Sequence, residues 1–63
     1  MFVSKHAYQR YEERFGRQDK KEIARRANCG TIIQQNKDGS QIRVWGAIRF
    51  VVFDNIIITI TKK

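Results

Sequence analysis

The hydrophobic rhythm of the chain changes near residue 30. Before that point apolar residues recur at helical spacing, as Ala7, Tyr11 and Phe15 and then as Ile23, Ala24 and Ala27, which gathers them on one face of a helix. After it, β-branched and aromatic residues crowd between short polar breaks, the pattern of short strands. Ser4 suits the N-cap of a helix over about 4–15, and Gly16 suits the position just past its end. Asp19, with Glu22 following at capping-box spacing, opens a second helix over about 19–29 that Gly30 closes.

Turn residues divide the second half. Asp38-Gly39, Gly46-Ala47 and Asp54-Asn55 are hairpin signals, and they leave four strands at about 31–36, 41–45, 48–53 and 56–61. The pattern predicts one α+β domain over residues 1–63, with two short helices packed on a four-stranded antiparallel meander. If every hairpin loop has two residues, cross-strand partners share a face. Ile33, Ile42, Val44, Val51, Phe53, Ile56, Ile58 and Ile60 then line one face, with Gln35 and Arg49 as polar intruders. This face is the expected core. The other face carries Gln34, Arg43, Phe50 and Thr59 in one row, flanked by Trp45, Ile48, Val52, Ile57 and Thr61.

Charge adds a partner class. The formal net charge is +7, and it is spread along the chain. Residues 1–29 hold eight Lys/Arg against four Asp/Glu, and residues 30–63 hold five against two. Such a field favours encounter with phosphate backbones or acidic proteins. At this length a domain buries only ~60% of its unfolded surface, so a homodimer or protein partner would add stability. The one cysteine, Cys29, excludes an intrachain disulfide and a zinc set, and it reads as a small buried hydrophobe at a helix end. No metal site or cofactor is expected. Runs such as Ile56-Ile57-Ile58 are too short to span a bilayer, and with no leader pattern visible the expected location is cytoplasmic, away from membranes.

Within the first helix His6, Arg10 and Arg14 stand four apart on one ridge beside the apolar ridge of Ala7, Tyr11 and Phe15. Arginine forks fit phosphate oxygens and can stabilise a phosphorane. Imidazole can move a proton to or from a ribose oxygen near neutral pH. Those parts suffice for metal-free RNA cleavage once a second proton carrier is present, and Glu13 or a tyrosine would serve. Ordinary intrahelical pairing of Arg10 or Arg14 with Glu12 or Glu13 accounts for the same spacing.

The pattern Ser4-Lys5-His6-Ala7-x-x-Arg10-x-x-Glu13-Arg14, with a final strand Ile57-Ile58-Thr59-Ile60, resembles a group of small bacterial and phage proteins allied to the RelE/ParE- and BrnT-type toxins, many of which are metal-independent ribonucleases. The resemblance covers about the first 16 and last 15 residues. It implies a catalytic or RNA-contacting role for His6, Arg10 and Arg14, and an RNA-side role for Thr59. The chain is shorter than most toxins of that alliance.

Other residues extend the expected interface. Arg17, Lys20, Lys21, Arg25 and Arg26 form a basic surface suited to backbone contacts. Trp45 and Phe50 beside Arg43 offer stacking surface and a cation on the outer sheet face, although the apolar residues around them also fit a homodimer or partner interface. The expected function is a small RNA-directed protein, toxin-like and endoribonucleolytic through His6, Arg10 and Arg14. The alternatives are a non-catalytic nucleic-acid-binding protein and an inhibitor that binds a host protein.

Overall fold

In the computed structural model, which describes residues 1–63, the chain runs β1 (Phe2–Val3), α1 (Lys5–Phe15), α2 (Lys20–Cys29), β2 (Thr31–Gln35), β3 (Gln41–Trp45), β4 (Ile48–Phe53) and β5 (Ile56–Lys62). The α+β class and both helices match the expectation. The sheet has five strands in the order β1-β5-β4-β3-β2. The added strand, β1, pairs in parallel with β5 through Phe2 with Ile56 and Val3 with Ile57. Two residues are too few to show a period, and their partner lies at the far end of the chain. No helix is long and apolar enough to cross a membrane.

Local chemistry sets the boundaries. The Ser4 hydroxyl oxygen accepts from the Ala7 N–H at 3.1 Å, capping α1, and the Gly16 N–H returns to the Glu12 carbonyl at 3.1 Å. Asp19 caps α2 by accepting from the Lys21 N–H at 3.3 Å. The expected capping box is not closed, because the Glu22 carboxylate turns to Arg25 and Arg26. Trp45 pairs with Ile48 across Gly46-Ala47, with Gly46 at φ +60°, as a II′ turn requires. Asp54 and Asn55 take φ values of 52° and 62°, the signature of a I′ turn.

The face assignment is overturned. Ile48, Phe50, Val52, Ile57 and Ile60 are buried together with Ala7, Tyr11, Ile23 and Ala27 of the helices. The row expected to face outward is therefore the core, and the outward face carries Ile42, Val44, Arg49, Val51, Phe53 and Ile56. Both faces are apolar, so alternation alone could not choose between them. The arginines distinguish them. Arg43, at the margin of the helix side, donates to the Ala27 and Asn28 carbonyls at the end of α2 at 3.3 and 3.4 Å. Arg49, in the middle strand of the sheet, has no such partner within the chain.

Two irregularities redistribute the remaining residues. On β5 the register passes from Thr59 (with Val51) to Ile57 (with Val52), leaving Ile58 as an extra residue. That bulge lets Ile57 and Ile60, three positions apart, both face inward, so Ile60 belongs to the core and not to the row of Ile56. The loop between β2 and β3 has three residues, Lys37-Asp38-Gly39, since Asn36 N–H bonds the Ser40 carbonyl at 2.9 Å. Asp38 accepts from both the Ser40 N–H (2.9 Å) and its hydroxyl (2.7 Å), which holds its carboxyl below the usual range, and Gly39 takes φ +95°. This odd-length loop and a bulge at Ile33 replace the expected register of β2.

Candidate nucleic-acid interface

The position of α1 follows from β1. The strand ends at Val3, the Ser4 N–H bonds the Ile57 carbonyl at 3.2 Å, and the helix then runs beside β5 beyond the point where β1 stops. Ala7 and Tyr11 are buried against the sheet, and the Tyr11 and Phe15 rings lie 5.3 Å apart. The neighbouring ridge stands at the border of this contact. Arg14 reaches across to donate to the Ile60 carbonyl at 3.4 Å, satisfying an acceptor of β5 next to the helix.

The ridge is a connected array. Arg10 Nε donates to His6 Nε2 at 3.4 Å, and Arg10 Nη1 meets Glu13 Oε2 at 3.3 Å. Glu13 is thus the carboxylate nearest the His6-Arg10 pair, and it supplies a candidate second proton carrier that spacing alone left open. The same contacts set a constraint. In this geometry the imidazole nitrogen facing Arg10 already accepts a hydrogen bond, so it must release Arg10 before it takes a proton from anything else. His6 and Arg14 are exposed and Arg10 is half-buried, so solvent screens the ion pair and its contribution to stability is small.

The second helix sorts its cations by role. Lys20 and Lys21 are exposed and have no carboxylate within salt-bridge distance, and Lys20 lies 5.4 Å from the centre of the Tyr8 ring. Arg25 is exposed and bonds Glu22 at 2.8 Å, which raises its own pKa further. Arg26 bonds the same carboxylate at 2.9 Å, donates to the Tyr11 hydroxyl and lies 4.7 Å over the Trp45 ring. Flanked by two guanidinium groups, Glu22 is held down to about 2. Arg17, on the interhelix loop, is highly exposed and lies 3.6 Å from Glu12.

Several residues expected to contact nucleic acid are engaged in the fold. Phe50 is fully buried and cannot stack on a base. Trp45 packs against the core with Arg26 over its ring. The Arg43 guanidinium is used by α2 carbonyls and by Gln41. Arg26 is tied into the helix–sheet junction. Thr59 pairs with Val51 on the face opposite the helices, so it does not share a surface with the Phe50 row. Cys29 is exposed, which corrects its expected burial. It lines an open groove of about 530 Å³ whose walls include Phe2 and Val3 on one side and Lys20, Lys21 and Arg25 on the other.

Two residues gave little or no signal in the sequence. Phe2 is 73% exposed and stands beside the Lys20 and Lys21 cations in that groove, and an isolated aromatic next to the first residue carries no periodicity. Arg49 did leave a trace, as a charged intruder in an apolar row. No protein-family model, curated protein or solved structure matches the chain.

Proposed function

We propose that this chain is a small RNA-directed protein whose helix side grips a phosphodiester backbone. The observation that carries the proposal is the division of its arginines and lysines. Arg26, Arg43 and the stacking residues Trp45 and Phe50 are used internally, whereas Arg10, Arg14, Arg17, Lys20, Lys21 and Arg25 stay wholly or partly exposed on α1, α2 and the loop between them. With Trp45 and Phe50 withdrawn into the fold, these cations are suited to phosphates, contacts that carry no sequence information. Binding is therefore expected to be tolerant of sequence and strong in its salt dependence. Competition of a labelled single-stranded RNA with unlabelled RNAs of different sequence tests it. Comparable competition supports the proposal, and one strongly preferred sequence contradicts it.

A second reading adds cleavage, since α1 holds His6, Arg10 and Glu13 side by side and His6 Nε2 becomes free once Arg10 turns to the phosphate. Imidazole would take the proton of a ribose 2′-hydroxyl. The freed oxygen would attack the adjacent phosphorus while Arg10 and Arg14 balance the growing charge, and the 5′-oxygen would leave with a proton from the acid partner. The products are a 2′,3′-cyclic phosphate and a 5′-hydroxyl. Incubation of RNA with the protein in the presence of EDTA decides the matter. RNA that stays intact, or equal cutting by His6→Ala, confines the function to binding.

A further inference from the structure

We infer that the uncovered face of the sheet is a docking surface for an acidic, apolar-faced segment of another protein, with a carboxylate of that segment paired to Arg49. Ile42, Val44, Val51, Phe53 and Ile56 share this face, and no helix packs on it. Phe53 is 43% exposed and the bulged Ile58 at its border 42%. An uncovered apolar patch of a few hundred Å² is a surface that often carries an interaction. Arg49 lies among these residues on the middle strand, between the cross-strand neighbours Val44 and Thr61.

Its Nε atom is buried and has no hydrogen-bond partner, the one such side-chain atom in the protein. A buried donor without an acceptor costs free energy, and the neighbours on this face offer aliphatic groups and hydroxyls but no carboxylate. The Nε is covered by the chain itself, so an outside carboxylate meets Arg49 at its two Nη groups, which are not buried and have no partner within the chain. With +7 on the chain, an acidic occupant is complementary both at Arg49 and at long range.

A second copy of the chain fits poorly. Its two-fold axis through the sheet centre would bring Arg49 against Arg49. The face is also small. Five strands at ~4.8 Å spacing and six residues at ~3.4 Å rise give a footprint of at most about 500 Å², well under the ~800 Å² per partner of a stable interface. One amphipathic helix, about 10–12 Å across, covers such a strip without bringing a second basic domain against it, as helices already do on the opposite face of this sheet.

The test is selection of a displayed library of random peptides on the full-length chain, followed by titration of the enriched peptides. The expected result is a shared Asp or Glu flanked by apolar positions at helical spacing. Arg49→Met should weaken binding by at least about 10-fold, Val51→Asp should abolish it, and Gln9→Ala on the exposed side of α1 should leave it within twofold, about the scatter of a titration. Arg49→Lys, which keeps the charge, should fall between wild type and Arg49→Met, and circular dichroism of each variant separates lost binding from lost folding. The inference is overturned if no peptide is enriched, if the enriched peptides lack a carboxylate, or if Arg49→Met binds as well as wild type. Displacement of the peptide by RNA, or a dimer in sedimentation that Val51→Asp dissociates, also overturns it by assigning the face to another occupant.

Discussion

The two faces of the sheet are nearly equal in hydrophobic content, yet they live in different environments. On the helix side every large residue has a partner. Phe50, Ile57 and Ile60 are sealed by Ala7, Tyr11, Ile23 and Ala27, and the polar groups at the margin close on one another as Arg26 with Glu22 and Tyr11 and as Arg43 with the α2 carbonyls. On the other face Arg49 keeps a buried, unpaired Nε amid half-buried valines and isoleucines. The difference shows that apolar alternation specifies a strand, whereas the polar residues at its margins specify which side the helices cover.

Substitutions across the central strand sharpen the contrast most. Phe50→Ala should cost about 3–5 kcal/mol, enough to unfold much of a domain of this size, whereas its neighbour Val51→Ala on the open face should cost about 1 kcal/mol or less. Urea unfolding monitored by circular dichroism measures both. Equal losses would mean that both faces are packed.

The arginines give a smaller effect of the same sign. Arg26→Ala removes a cation over Trp45 and a bond to Tyr11, with an expected loss of about 1–2 kcal/mol. Arg49→Leu removes an unsatisfied donor and should be neutral or stabilising by up to about 1 kcal/mol. The same unfolding curves read this pair, and a large loss at Arg49 would reveal a partner within the chain.

Acidity supplies the finest test. Glu22 is depressed from 4.5 to about 2 by hydrogen bonds from Arg25 and Arg26. A carboxyl with a lowered folded pKa contributes stability that is full above its unfolded value and is lost as pH falls through the folded one. The melting temperature should accordingly decline between about pH 4.5 and about pH 2, and Glu22→Gln should flatten that decline. The helix-side network would be immaterial if the two proteins gave parallel profiles.

Much of the framework was legible in the residues. Ser4 and Asp19 cap helices by short-range hydrogen bonds, and Gly46 and Asp54-Asn55 fix two hairpins through their own backbone preferences, so β3 and β4 begin and end where the pattern places them. What failed depended on distant parts of the chain. The bulge at Ile58 is set by Ile57 and Ile60, which must both face inward, and the pairing of β1 with β5 joins opposite ends of the chain. The bulge at Ile33 lies on a wholly exposed strand with no such cause. The role of Arg43 could be seen only once the end of α2 lay beside β3. The His6-Arg10-Arg14 ridge was legible from spacing, but its bonds to Glu13 and the Ile60 carbonyl were not.

Salt dependence of RNA binding reports on whether the helix side holds a phosphate backbone, as proposed. The affinity of a fluorescent single-stranded RNA should fall linearly on a log–log plot against salt concentration. Replacing Arg10 and Arg14 together with glutamine should make that slope shallower by about 1.4, or ~0.7 for each phosphate that is no longer neutralised. An affinity indifferent to salt, or a slope unchanged by the double substitution, would contradict the proposal.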